Sequence, residues 1–458
     1  MPTRRIDELE GLLRRGGILS ATRIGADLGI SQATVSRLIA AAGDRIVRIG
    51  RARATRYALA RDIGRAGHEW PLHRIDALGR ADTVGSLRAI HGGGFAFVPQ
   101  DAAPALLHDD FAGGVFPDLP WFLDDQRPQG FLGRAFARRV AGDIGAPADL
   151  ARWRSDDIVL ALLRHGEDAP GDLVLGDDGL RRTLQQIVQP VGTMTMAERP
   201  ALYPQRADAA LRGEDFGSSA GGEQPKFTTT LAHDGGWLPV IVKFSERAGT
   251  PAAERWADLL RCEQRAGEVL RRHGFAAADG SILEADGRVF LQSTRFDRTP
   301  ALGRRGFVSL AALDAAFHGH GRVDWPAFAD LLARDGWIDA DTAHALRVLG
   351  WFGVLIANSD MHLGNAGLVL ADARPLALAP AYDMLPMAFR PATSGEVIAR
   401  EYDVALPTPD AGDDWRQAAA MALEFWRGIA DRDEISTGFR AIAAQAADAL
   451  QRAVDRIG

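Results

Sequence analysis

The sequence predicts an α+β protein in two unequal parts. A small basic module of three helices and a two-stranded wing precedes a larger acidic body that turns mostly helical after Arg298. Three observations predict this. Residues 1–60 hold eleven Arg and no Lys against five acids, a net +6, which leaves −13 for the remainder of a chain whose total is −7. Around residues 217–272 a small-residue loop, an apolar strand and one long amphipathic helix follow each other. Beyond Arg298 the apolar residues recur with the 3.6-residue period of helices.

The chain of 458 residues is long enough for two or three domains with sizeable cores. Its one cysteine, Cys262, excludes an internal disulfide and fits a reducing, cytoplasmic location. The beginning P-T-R-R-I-D-E-L-E gives no apolar secretion segment. The most apolar stretch, Val348 to Ala357, is about half of what spans a bilayer, so no membrane partner is expected.

In the basic module, Arg5 to Arg15 reads as a helix with Ile6, Leu9, Leu12 and Leu13 on one face. Ser20 and Gly29 have the chemistry of the cap and stop of a second helix, and Ser31 caps a third. In the third, Val35, Leu38 and Ile39 face inward. Gln32, Thr34, Ser36 and Arg37 stay outside near its N-terminus, where a recognition helix meets base edges. Ile46 to Leu59 then reads as strand, basic turn and strand, with Arg51 and Arg53 at the tip to meet phosphate. The pattern resembles the winged helix-turn-helix of bacterial regulators and implies DNA as a partner; the bland alternative is a small protein-docking domain.

Residues 62–214 are the least informative. Phe95–Val98 and Asp172–Leu175 look like strands, and Leu132–Val140 and Ile158–His165 look like helices. Nothing there reads as catalytic, and Arg206 to Phe216 reads as a polar approach to the loop that follows.

That loop, Gly217 to Phe227, is rich in small residues whose backbone N–H groups can approach an anion closely. It lacks the Walker A pattern. Val240-Ile241-Val242-Lys243-Phe244 is an apolar run with one embedded Lys, costly to bury unpaired and therefore aimed at an anion. A helix from about Ala252 to Arg272 supplies the partner. Glu263 lies one turn after Leu259 on the inner stripe, and is preferred over Glu254 and Glu268 on the same helix.

Asn358 to Asp383 carries the rest. Asp360 and Asn365 are five apart, the spacing of base and metal ligand in kinase catalytic loops. The apolar runs AGLVL and LALA read as a hairpin ending near Asp383, where a second Mg²⁺ ligand belongs. Taken alone, Asp360 and Asn365 also suit a turn; the ordered set upstream favours chemistry. His362 reads first as a buttress for the loop backbone. His318 and His320 lack partners spaced for a metal.

S-A-G-G-E-Q-P-K-F, V-I-V-K-F, L-Q-S-T-R-F-D-R and N-S-D-M-H-L-G-N with A-Y-D-M resemble the HipA-type serine/threonine kinases of bacterial toxin–antitoxin systems, over roughly residues 70–450. The resemblance implies a two-lobed protein-kinase-like fold, ATP and Mg²⁺ as cofactors, and a protein substrate such as an aminoacyl-tRNA synthetase. It makes Asp360, Lys243 and Glu263 catalytic. Ser219, Ala220, Gly221, Gly222, Glu223, Gln224, Lys226, Lys243, Thr294, Arg295, Phe296, His362, Asn365 and Asp383 become the nucleotide site, with Asn365 and Asp383 on the metal. Ser219, with Ser218 beside it, becomes the residue whose autophosphorylation switches the enzyme off. Arg295-Phe296 matches the hinge behind the adenine, although Thr294 stands where the family often has an acid. The expected domains are 1–61 (winged helix-turn-helix), 62–214 (a subdomain buttressing the small lobe), 215–300 (small lobe) and 301–458 (helical large lobe). A homodimer or an antitoxin partner is implied too. A small-molecule kinase of this fold, or a transcription regulator whose kinase-like half senses nucleotide, are the alternatives.

Overall fold

The computed structural model describes residues 2–50, 55–100, 103–108, 114–213, 222, 224–233 and 235–457. Ser218, Ser219, Ala220, Gly221 and Glu223 of the phosphate loop, and Arg51 and Arg53 of the wing, lie outside the described residues.

The N-terminal module runs α1 (Pro2–Gly16), β1 (Leu19–Ser20), α2 (Ala21–Leu28), α3 (Gln32–Ala42), β2 (Ile46–Ile49) and β3 (Arg56–Leu59). The cap residues act as their chemistry requires. Ser20 Oγ accepts from Arg23 N at 3.2 Å, Ser31 Oγ accepts from Thr34 N at 3.3 Å, and Gly29 closes α2 at φ 64°. Leu9, Leu13, Ile24, Val35 and Leu38 bury the apolar faces together. The sheet, ordered β1-β3-β2 and antiparallel, packs Val47, Ile49 and Ala58 on Ile90 and Ala96 of the next domain. Arg61 grips Asp156 there at 2.5 and 2.9 Å.

The middle domain contains β4 (Glu69–Ile75), β5 (Ala81–Ala89), β6 (Phe95–Pro99), β7 (Val115–Phe116), α4 (Trp121–Asp124), α5 (Gly130–Ile144), α6 (Ser155–His165), β8 (Leu173–Leu175) and α7 (Asp177–Val188). Its antiparallel sheet is ordered β7-β6-β5-β4-β8. The domain meets the small lobe, through Phe131 N on Gly222 O and through Asp168 beside Thr228, and it also packs on the large lobe. Its core is continuous with that of the large lobe, and Trp121 meets Phe317 and Trp337 edge-on at 5.6 and 5.8 Å.

The small lobe follows with β9 (Thr193–Thr195), α8 (Arg199–Arg212), β10 (Lys226–His233), β11 (Gly236–Phe244), α9 (Pro251–Arg272), β12 (Gly280–Ala285) and β13 (Arg288–Thr294). Its sheet is ordered β12-β13-β11-β10-β9. Two expectations change here. Arg206 to Arg212, the described part of the expected polar approach, is the helical end of α8, which buries Tyr203, Ala207 and Ala210 against Phe227 and Phe290. Because β9 pairs in parallel with β10, the lobe takes in residues before the boundary expected at 214.

The large lobe holds β14 (Val308–Ser309), α10 (Leu310–Leu313), α11 (Trp325–Arg334), α12 (Ala340–Leu355), β15 (Gly367–Leu368), α13 (Gly412–Ala430) and α14 (Thr437–Ile457). The expected hairpin is reduced to a bridge, Leu368 to Leu378, flanked by Val369 N to Ala377 O and Ala379 N to Gly367 O. β15 spends its other edge on β14 instead. The stretch from Asp413 onward, expected as one helical region, is two packed helices. Among the described residues, no helix is long and apolar enough to cross a membrane.

Candidate active site

The site begins with a like-charge problem. Lys226 on β10 and Lys243 on β11 are direct cross-strand partners, and both are buried. Adjacent ammonium groups repel, so the arrangement needs anions in front of it. α9 brings one. Its first turn is capped by Thr250 Oγ1, which accepts from Ala253 N at 3.1 Å, and its apolar stripe carries Glu263 inward. Glu263 Oε1 lies 2.5 Å from Lys243 Nζ, with side chains 10% and 7% exposed. Neither Glu254 nor Glu268 competes, since Glu268 is taken by Arg265 and Arg432.

The second anion comes from the large lobe. Asp383 Oδ1 is also 2.5 Å from Lys243 Nζ, so one ammonium ties both lobes together. Electrostatics follow from this sharing. Burial alone would lower the Lys243 pKa, but Asp383 and then Glu263 hold it above the ordinary lysine value. Burial would raise Asp383, yet Lys243 and Lys226 keep it below the usual carboxylate value. Glu263 goes the other way: burial outweighs Lys243 and pushes it up.

Asp383 sits at φ 55°, a left-handed conformation uncommon outside glycine. Neighbouring groups fix it there. Asn358 Nδ2 donates to Asp383 O at 3.1 Å, while Asn358 Oδ1 accepts from Asp360 N at 3.0 Å. Asn365 Nδ2 donates to Asp360 O at 2.7 Å, and Tyr382 Oη donates to Gly364 O at 2.8 Å. The loop after α12 is therefore closed on Asp383, leaving the Asp360 carboxylate about half exposed. His362 Nδ1 accepts from Gly364 N at 3.0 Å, the buttress expected of it; its Nε2 is 3.9 Å from Asp360 Oδ1.

Gly222 ends the small-residue loop over this cluster. At φ 92°, a Cβ on it would meet Lys226 Nζ at 2.7 Å and Asp383 Oδ2 at 3.9 Å, so only glycine leaves the space open. Two buried polar atoms nearby in sequence or space lack partners among the described residues: Gln224 Nε2, a donor, and Glu263 Oε2, an acceptor.

Thr294 ends β13 and Arg295 begins the link between lobes, with their N–H groups spent on Asp279 O and Pro239 O. The Arg295 guanidinium turns toward Asp168 and Asp297, and its carbonyl accepts from Arg298 N at 3.3 Å, so neither its side chain nor its amide is left for a nucleotide. Phe296 stacks on Tyr382 at 5.7 Å. Asn358 and Tyr382 had not been singled out from sequence. N-S-D, an Asn two residues before an Asp whose amide it can hold, is the signal that could have found the first. Cys262, beside Glu263, is fully buried packing, and burial drives its pKa up.

Comparison with known proteins bears on the same residues. The family model described as "YjjJ-like toxin, middle domain" matches residues 66–184, and "HipA-like C-terminal domain" matches residues 218–455. Toxin YjjJ of Escherichia coli (strain K12) is 35% identical over 453 residues, 99% of each chain. The Shewanella oneidensis MR-1 HipA, solved with HipB and its operator DNA, superimposes with a TM-score of 0.50 over 85% of this chain and 99% of that one. At 15% identity this is a likeness of fold, two-lobed and kinase-like. With a toxin matched end to end and the HipA-like half spanning Lys243, Glu263, Asp360 and Asp383, the chain belongs to the HipA family of toxins.

Proposed function

We propose that this protein is a serine/threonine protein kinase that uses ATP and Mg²⁺, with a translation component such as an aminoacyl-tRNA synthetase as its substrate class. One observation carries the reading: Lys243 joins Glu263 and Asp383 beneath Gly222, while Asn358 ties Asp383 to the loop of Asp360 and Asn365. The residues present fit the cofactors. Lys226, Lys243 and the unpartnered Gln224 Nε2 suit phosphate oxygens, and the oxygens of Asn365 and Asp383 suit a hard cation. Bound there, ATP would supply the phosphoryl group and Mg²⁺ would offset its charge.

The chain's own residues divide the rest. Asp360, with its amide held by Asn358 and its carboxylate in the cleft, orients a substrate hydroxyl and accepts its proton. Lys243 is kept protonated and aimed by Glu263. Ser219, or Ser218 beside it, is the autophosphorylation site of the reading. A phosphate on it adds about two negative charges and competes for the amides that would hold ATP.

Residues 1–61 are proposed as a winged helix-turn-helix that binds DNA. In support, Gln32, Ser36 and Arg37 are exposed on α3 with Thr34 half-buried between them, and β2 and β3 form the antiparallel pair behind a basic tip. The Shewanella HipA was solved with HipB and operator DNA; here the same chain would carry the DNA contact itself, with a separate antitoxin or a second copy as a further partner.

Purified protein, [γ-³²P]ATP and a cell lysate test the reading together. Labelled protein, lost in Asp360→Asn, is expected. Labelled metabolites would make it a small-molecule kinase, and nucleotide binding without transfer would make it a nucleotide-sensing regulator. Mass spectrometry of wild type after Mg-ATP should find phosphate on Ser219; an unmodified loop alongside active transfer would refute the self-inactivation.

A further inference from the structure

The middle domain reaches the cleft at two separate points. The first is the link between lobes. Arg295 bonds Asp297 through Nε at 3.0 Å and Nη2 at 2.8 Å, and the middle-domain Asp168 through Nη1 at 2.5 Å. Arg298 clasps the same segment through Ala169 O and Gly171 O at 2.8 and 3.2 Å, and Arg304 bonds Glu167 O. Asp168 lies also within 3.5 Å of Thr228 Oγ1, on the strand that leaves the phosphate loop. A side chain from residue 168 thus spans the link and the sheet, and the three arginines around it are buried.

The second point is the end of the phosphate loop. Phe131 N, at the start of α5, donates to Gly222 O at 2.9 Å. Gly130 (φ 63°) lies so close that a Cβ there would meet Gly222 O at 2.3 Å and its C and N at 2.8 Å. These are backbone atoms with no side chain to swing away, so any larger residue must displace Gly222 from above Lys226 and Asp383.

We infer that the middle domain completes the nucleotide site: Asp168 is the positioning residue that sets the hinge for the base, and Gly130 with Phe131 sets the loop end for the phosphates. The inference rests on the nucleotide-binding reading above. Neither residue touches the reacting atoms. They act through Arg295 and Gly222, and loss of position in a binding site is costly even at a distance. Asp297 continues to neutralise Arg295 when Asp168 is changed, so the fold is expected to survive.

Calorimetric titration of the full-length protein with adenosine and, separately, Mg-ATP separates the two ends. Asp168→Asn should weaken both ligands by the same factor, about tenfold. Gly130→Ala should weaken Mg-ATP by a similar factor and leave adenosine unchanged. Should Asp168→Asn not fold, Asp168→Glu keeps the charge while lengthening the arm, and the same joint weakening is expected at smaller size. Wild-type affinity for both ligands in a folded Asp168 variant overturns the inference. So does a fall in stoichiometry alone, which marks a purely structural role. Wild-type protein that binds neither ligand overturns the nucleotide reading itself, a distinct result.

Discussion

Two buried charge clusters, one at the hinge and one in the cleft, are built from similar parts to different ends. At the hinge, Arg295 and Arg298 share the carboxylate of Asp297, and Asp168 and the carbonyls of residues 169 and 171 take nearly all that remains. In the cleft, Lys243 is shared by Glu263 and Asp383, but Glu263 Oε2 and Gln224 Nε2 are left without partners among the described residues, and Lys226 adds a second ammonium. The hinge cluster is close to complete by itself, with Arg304 Nη1 its one buried donor lacking a partner among the described residues; the cleft cluster is built to be completed by something else. Burying unpaired polar groups costs free energy. The protein accepts that cost in the cleft and avoids most of it at the hinge, which is the physical difference between a binding site and a joint.

Removing single carboxylates should bring out the contrast. Asp360→Asn should lower phosphoryl transfer by about 10²–10⁴-fold while Mg-ATP binding stays near wild type, because it removes only the proton acceptor. Asp383→Ala should lose transfer and Mg-ATP affinity together, since it takes a ligand from the cation and one partner from Lys243. Its stability should fall less than in the hinge variant below, because Glu263 still faces Lys243. Transfer assays beside nucleotide titrations check both, and full activity in either variant would sink the catalytic assignment.

At the hinge the order reverses. Asp297→Asn removes the carboxylate between two buried guanidinium groups and should cost about 3–5 kcal/mol of stability, read by denaturant unfolding. A loss of activity without loss of stability would erase the distinction between joint and site.

This division explains what could be read from the sequence. That Lys243, Glu263 and Asp383 come together, with Asp360 and Asn365 in the loop tied to Asp383, was legible because phosphoryl transfer would demand those residue types in a fixed order, each in a recognisable local setting. The caps Ser20, Gly29 and Ser31 were legible for the same local reason. The middle domain was not. Asp168 and Gly130 matter through contacts with Arg295 and Gly222, which lie roughly one hundred residues away, and no local pattern marks such a pair. α8 was hidden by Pro204 inside it and by a polar sequence in which only a few small and aromatic residues face the sheet. The hairpin after Asn365 was overcalled because AGLVL carries a strand-like run, yet β14 competes for its edge.

A fourth carboxylate sharpens the comparison through pH. The arginines hold the Asp297 pKa below the ordinary range against the opposing effect of burial. Its folded pKa is below the unfolded one, so its stabilisation is present above the ordinary carboxylate range and is lost as pH falls. Asp125, facing Ser309 N at 2.7 Å and paired with no cation among the described residues, is pushed up by burial to about 6. Here the sign is opposite: its contribution is full below about pH 4 and is lost as pH rises through about 6. Asp125→Asn should therefore stabilise the protein by about 1–2 kcal/mol at pH 8 and give no gain at pH 4. Unfolding curves at the two pH values check this; an equal change at both would mean that the carboxyl does not titrate as described.

The smallest expected effect concerns the arginines of the N-terminal module. On α3, Arg37 reaches only Ala33 O at 3.3 Å and Thr34 Oγ1 at 3.2 Å, both within its own helix, and no acid among the described residues pairs with it. An arginine left so is available to a polyanion, whereas the hinge arginines are not. The module carries +6 on a body of −13, so contact with duplex should be confined to it and oppose the repulsion of the rest. Each phosphate contact releases counterions, so binding should fall steeply with salt, and Arg51→Ala and Arg53→Ala should each reduce the slope of log K against log salt by about one unit. If Arg37 reads a base edge, Arg37→Ala should instead cost about 1–3 kcal/mol on a preferred sequence and relax the preference there. Gel-shift titrations at several salt concentrations distinguish the two kinds of contact. Binding that ignores salt, or that survives deletion of residues 1–60, would place the DNA surface on the acidic body, where these arginines have no part.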